Sequence, residues 1–285
     1  MLLPGHMATL TVARKTNFGY FLTDGTEDIL LHKREATREL ELDEKVEVFL
    51  YHDHQKRIAA TMEEPLITFG EIAWLEVVSV LPRDGLFLNN GISRDLFLSI
   101  DELPFERERW PKPGDRLPVS LINDKKGRVM AQHIKGPLIE KQAKKATELS
   151  LNQEVTGTVY HFVDEGVFLL TEEGYLAFLH ESESSFVPRL GQQLTVRVTY
   201  VRDDGRINVS AFADKMKSQV EDSEKILEYM KSRDGAMPYG DKSQAEDITT
   251  RFNMSKAAFK RALGKLMKEQ LVYQKEGWTY LKEKQ

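Results

Sequence analysis

A glycine followed two residues later by phenylalanine, on a short apolar strand that turns and returns as a second apolar run, occurs three times in this chain. Asn17-Phe18-Gly19-Tyr20-Phe21-Leu22 is answered by Ile29-Leu30-Leu31-His32-Lys33. Asp84-Gly85-Leu86-Phe87-Leu88 is answered by Leu96-Phe97-Leu98-Ser99, and Glu165-Gly166-Val167-Phe168-Leu169 by Ala177-Phe178-Leu179-His180. Recurrence of one β-unit argues for a series of small domains rather than one large core. Each copy spans about 65 residues, enough for a small domain only if it is compact.

The first copy, residues 8–62, reads as five short strands bounded by turn residues: Thr9–Ala13, Gly19–Leu22, Asp28–His32, Val46–Tyr51 and Ile58–Thr61. A polar insert, Lys33–Lys45, follows the third, and Asp53-His54-Gln55-Lys56 connects the last two. That layout predicts a five-stranded Greek-key barrel of the OB type. Residues 66–134 repeat it with a charged, proline-containing insert at Leu103–Asp115, and residues 151–213 repeat it again. Residues 135–150 read as a linker with a short helix over Leu138–Leu149. Gly5-His6-Met7 has the look of a cloning scar, so residues 1–7 are left outside the expected fold.

From Lys215 the period becomes helical. Val220 and Lys225–Met230 belong to a first amphipathic helix. Ser243-Gln244-Ala245-Glu246 reads as a capping box opening a second helix to about Phe252. A third opens at Ser255, with Phe259, Leu263 and Leu266 on one side, and a hairpin closes through Lys275-Glu276-Gly277. Three helices and a hairpin over residues 215–285 predict a winged helix, a relative of the helix-turn-helix. The expected fold class is therefore multidomain and mainly β, three tandem OB-type barrels followed by an α+β winged helix.

Composition limits the chemistry. The chain has no cysteine, which excludes disulfides and thiolate metal sites and fits a reducing cytosol. No apolar run reaches the roughly 18 residues of a membrane span. His52 and His54 offer two metal ligands at most, where zinc usually takes three or four protein ligands, so neither metal nor cofactor is expected. No Walker loop, nucleophile elbow or dinucleotide fingerprint is present, and the expected activity is non-enzymatic. The formal net charge is −5, and only residues 214–285 are net basic, with 15 Lys+Arg against 12 Asp+Glu. Slightly acidic barrels cannot grip a duplex by charge alone. If they bind nucleic acid, stacking on aromatics must carry much of the affinity, which suits single strands.

The third unit resembles an S1 domain, an RNA-binding OB fold. The resemblance rests on Gly157-Thr158-Val159, Gly166-Val167-Phe168, Phe178-Leu179-His180-Glu181-Ser182, Gly191–Val196 and Gly205-Arg206-Ile207-Asn208-Val209-Ser210. It implies an RNA face of two aromatics, a histidine, an aspartate and an arginine. The first unit matches that set with Phe18, Phe21, His32, Asp53 and Arg57. The second matches with Phe87, Asp124 and Arg128, and has Asp84 and Ser99 at the remaining places. The third matches with Phe168, His180 and Arg206, and has Glu165 and Arg202. Three such units and a winged helix, over residues 8–285, resemble the conserved virulence factor B family of bacterial RNA-binding regulators. The resemblance implies cytoplasmic, post-transcriptional binding of single-stranded RNA, with no membrane partner.

Each site has a plainer competing account. The phenylalanines could be core, since Phe18 and Phe21 face opposite sides of a flat strand unless the chain bends at Gly19. The arginines could simply close their hairpins onto Asp53 and Asp124. Lys256, Lys260, Arg261, Lys265 and Lys268 on the third helix form either a nucleic-acid face or a solvated one. The rival function is a DNA-binding transcription regulator, with the winged helix dominant and the barrels as partner modules. An enzyme would need a catalytic partner subunit.

Overall fold

The computed structural model describes residues 2–212 and 215–282, with side chains described outside 213–221. Val220, expected on the first helix of the winged domain, lies outside the described side chains. The chain divides into two compact units, Met1–Ala211 and Phe212–Gln285.

In the first unit, β1 (Met7–Thr16), β2 (Gly19–Thr23), β3 (Asp28–His32), β4 (Lys45–His52) and β5 (Ile58–Thr61) close into a barrel in the order β1-β2-β3-β5-β4. Closure follows from the length of β1, whose first half pairs with β4 and second half with β2. A bulge between Val12 and Arg14, just past the changeover at Thr11, supplies the bend that lets one strand serve two neighbours. Alternate residues Leu10, Val12, Leu22, Leu31, Val46 and Val48 fill the interior. The same plan recurs in β6 (Ala73–Leu81), β7 (Gly85–Leu88), β8 (Leu96–Ser99), β9 (Arg116–Asn123) and β10 (Val129–His133). It recurs again in β11 (Glu154–Val163), β12 (Gly166–Thr171), β13 (Leu176–His180), β14 (Gln193–Val201) and β15 (Ile207–Ser210). The bulges repeat as well, between Val77 and Ser79 and between Val159 and His161.

Two expected boundaries are corrected. Residues 2–7 belong to the first barrel: the Gly5 amide donates to the Leu50 carbonyl (2.7 Å), the Leu50 amide donates to the His6 carbonyl (3.0 Å), and Leu2 packs on the core. The His6 ring also stacks on Phe69 at 4.8 Å. The expected linker helix is one turn, α1 (Pro137–Glu140), and the chain then runs extended along the third barrel. The Lys144 amide donates to the Gly174 carbonyl (2.8 Å), and Ala146 enters the barrel core. From Ile139, helical spacing would present only Ala143 and Ala146, too little apolar surface to hold a helix by packing.

Barrels two and three are fused rather than strung on a flexible tether. Leu190, from the third barrel's sequence, is 1% exposed inside the second barrel's core. Phe162 packs against both cores. A bridging cluster joins Ile134, Ile139, Tyr160 and Leu176, flanked by Trp74 and Phe168. Half-buried Arg189 pairs with Asp115 at 3.2 Å across the junction.

His133 lies in this junction. Burial, and secondarily the charge of Lys135, pulls its pKa down to about 4. Half-buried His161 is shifted the same way by burial. The unfolded chain takes up a proton at His133 below about pH 6.5 while the folded chain does not until about pH 4. Stability is therefore lost as pH falls through that window, by about 3 kcal/mol for His133. Urea denaturation followed between pH 7 and 4 should show the loss, and His133→Gln should flatten it.

The second unit contains α2 (Lys215–Lys231), β16 (Ala236–Met237), α3 (Ala245–Phe252), α4 (Lys256–Lys268), β17 (Val272–Lys275) and β18 (Trp278–Leu281). Its sheet order is β16-β18-β17, so a short strand not anticipated from sequence completes it. Ile226, Met230, Ile248, Phe252, Phe259, Leu263 and Leu266 form the core. The expected capping box does not form: Gln244 caps α3 without a side-chain bond, and Ser243 Oγ turns back to accept from the Gly240 amide (2.9 Å).

Candidate nucleic-acid interface

The bend required at Gly19 is present. Gly19 has φ +153, and a Cβ there would fall 2.2 Å from the Leu31 carbonyl oxygen, so only glycine lets β2 start this close to β3. The bend brings Phe18 and Phe21 into an edge-to-face pair with ring centroids 6.1 Å apart. Phe18 is 48% exposed, and Phe21 is half-buried. The Arg14 guanidinium lies 4.1 Å from the Phe21 ring centroid and also pairs with Asp28 at 3.3 Å. Arg14 was not picked out from sequence. The signal is its register, because the bulge sets Arg14 directly across from Phe21.

His32 ends β3, opposite Gly19 in the register. Its Nδ1 accepts from the Arg34 amide at 3.2 Å. A ring whose Nδ1 accepts a backbone N–H carries its proton on Nε2 when neutral, leaving Nε2–H as a donor. His180 is held the same way by the Ser182 amide (3.1 Å). In the second barrel Ser99 Oγ accepts from the Asp101 amide (3.3 Å). Serine therefore keeps the turn-capping role of histidine and loses the outward ring donor.

At the other end of the face, Asp53 accepts from the Gln55 and Arg57 amides (2.8 and 2.9 Å) and from Arg57 Nε and Nη2 (2.9 and 2.7 Å). Partial burial pushes the Asp53 carboxyl up, but these donors outweigh it and hold its pKa below the ordinary value. Asp124 and Arg128 repeat the pair (Nε 2.7 Å), with the Arg128 amide the main cause of a lowered Asp124 pKa. The closing pair and an available arginine coexist, since the Arg57 side chain is 63% exposed. Asp53 is thus committed to its hairpin, and among the described residues no group of three His, Cys, Asp or Glu is placed to hold a metal.

The other two faces differ. Gly85 makes the same bend, with φ +144, but Phe87 pairs with Phe97 on the adjacent strand (5.5 Å) rather than with a residue before the glycine. Phe168 pairs likewise with Phe178 (5.2 Å) and stacks on His161 (6.3 Å). The second aromatic in these barrels therefore comes from the position that Leu30 holds in the first. Phe168 packs into the cluster joining barrels two and three. Arg206 is drawn to Glu140 of α1 at 3.1 Å and to Asp204 at 3.6 Å.

In the second unit Ser255 caps α4 by accepting from the Ala258 amide (3.2 Å). Lys260, Arg261 and Lys268 are exposed on the helix, while Lys256 and Lys265 are half-buried. Lys265 lies 4.0 Å from Glu269.

Comparison with known proteins accounts for the whole arrangement. Residues 4–63 match the S1 domain model, residues 72–132 the CvfB first S1-like domain, residues 139–212 the second domain of virulence regulatory factor CvfB, and residues 224–281 the CvfB-like winged helix domain. Conserved virulence factor B of Staphylococcus aureus is 31% identical over 270 residues, covering 91% of this chain and 90% of the relative. The chain belongs to the conserved virulence factor B family. Another relative, uncharacterized protein YitL of Bacillus subtilis, is 46% identical over 279 residues, 98% of this chain and 94% of the relative. The crystal structure of a multidomain protein with nucleic acid binding domains from Streptococcus pneumoniae covers 98% of each chain at 30% identity, with a TM-score of 0.68. The S1-like and winged-helix domains of this family are nucleic-acid-binding, regulatory modules. The matches start at residues 4 and 139, in keeping with the integration of residues 2–7 and of α1 into their barrels.

Proposed function

We propose that this member of the conserved virulence factor B family binds single-stranded RNA without catalysis, in the cytoplasm, as a post-transcriptional regulator. The observation that carries this reading is the first barrel's face. Gly19 joins Phe18 to Phe21, Arg14 backs the pair, His32 presents Nε2–H beside it, and Arg57 stands at the far end. Rings of this kind stack any unpaired base, and paired bases withhold their faces. The second and third faces contribute less, because Ser99 lacks the ring donor and Phe168 and Arg206 are engaged in the barrel junction.

The exposed basic residues of α4 favour a second reading, duplex DNA binding through the winged helix. Titration of labelled single-stranded RNA, single-stranded DNA and duplex DNA against the intact chain and residues 1–211 separates the two. The RNA reading predicts preference for single-stranded RNA by both proteins. Equal or tighter duplex binding, lost on removing residues 212–285, would establish the alternative.

A further inference from the structure

The hairpin of the winged helix carries an aromatic face of its own. Tyr273 lies opposite Tyr280, and Lys275 opposite Trp278, so the four side chains share one side of the β17–β18 ladder. Val272 and Thr279, on the other side, are buried. Tyr273 and Tyr280 stack with centroids 5.3 Å apart and planes at 21°, and Trp278 continues the row at 6.4 Å and 25° from Tyr280. The two ends of this ladder, Tyr273 and Trp278, are each 44% exposed.

Hairpin stability explains part of this, since a cross-strand aromatic pair contributes about 0.2–1 kcal/mol. It explains Tyr273 with Tyr280. It does not explain Trp278, whose cross-strand partner is a lysine and which stays 44% exposed, whereas Trp110 is buried. Lys275 is the cation among these four side chains, and the nearest carboxylate in sequence, Glu276, sits in the turn beyond it. Parallel rings beside a cation complement a flexible anion that carries planar apolar groups.

We propose that the Tyr273–Tyr280–Trp278 ladder is a stacking site for unpaired bases of single-stranded RNA, with Lys275 at the phosphates. The site makes the hairpin, rather than the groove-reading helix α4, the nucleic-acid contact of the winged domain. The proposal rests on the RNA-binding reading of the chain and deepens it.

Tryptophan emission tests this directly on the intact protein, because a stacked base quenches the indole beneath it. Titration with oligouridylate should quench the wild-type protein, and Trp278→Phe should abolish the quench at oligouridylate concentrations that fluorescence anisotropy shows to saturate the variant. Tyr273→Thr with Trp278→Thr, which keeps strand-forming side chains, should weaken binding about 10-fold with an unchanged far-ultraviolet circular dichroism spectrum. An equal quench in Trp278→Phe, unaltered affinity in the double variant, or equal quenching of Trp278 by duplex DNA would overturn the proposal. Absence of a Trp278 quench with RNA binding intact would leave the face to a protein partner and leave the RNA reading standing. Absence of any binding by anisotropy would remove both.

Discussion

Replacing Phe18, Phe21 and His32 together by alanine should weaken single-stranded RNA binding by at least about 30-fold, taking the lower end of the 1–3 kcal/mol that each stacked base contributes. The rings lie at the surface of the first barrel, outside the core built from Leu10, Val12, Leu22, Leu31, Val46 and Val48. Thermal stability should therefore change little. Removing Phe21 also frees the Arg14 guanidinium from its ring, although the Asp28 pair still holds that side chain. Phe168→Ala with Arg206→Ala is the matched control in the third barrel. Those residues contact the junction cluster and Glu140, so their loss should lower the melting temperature more than the affinity. Anisotropy titration and thermal denaturation of both variants check the pair. The stacking role of the first barrel fails if the triple variant binds RNA like the wild type.

Leu190→Asp should destabilise two barrels at once. Truncating a buried leucine alone costs about 2–5 kcal/mol, and an unpaired carboxylate placed in the same apolar site adds to that. Leu190 belongs by sequence to the third barrel and by packing to the core of the second, beside Leu75, Leu117 and Trp110. Hydrogen exchange should show protection lost across β6–β10 as well as β11–β15, with β1–β5 protected as before. Loss confined to the third barrel would mean that the junction is no more than a contact between separately stable domains.

The barrels were legible in the sequence because each local signal agreed with the global one: alternation, glycine bends and turn residues recur three times. The candidate face of the first barrel was legible for the same reason, down to the condition that the chain bend at Gly19. Less visible was anything set by register. Arg14 meets Phe21 because of a bulge one residue earlier, and no composition rule marks the position of a bulge. Phe97 and Phe178 stand in the repeated runs, where nothing in the sequence marks them as the ring partners of Phe87 and Phe168. The fusion of barrels two and three rests on Leu190, Tyr160 and Phe162, which look like ordinary core residues until the partner surface is known. The capping box at Ser243 failed for a related reason, since a serine can serve a neighbouring turn as readily as a helix.

The shared core also bears on how such a chain can be inherited. The matched segments 72–132 and 139–212 look like two interchangeable modules, yet Leu190 of the second completes the interior of the first, and Tyr160 and Phe162 of the second pack across the junction. A gene fragment ending between them would encode a barrel missing Leu190 from its core and another with Tyr160 and Phe162 uncovered. The middle pair must therefore travel as one piece. In this chain the unit that keeps its interior intact is a double barrel, although the unit of repetition is a single one.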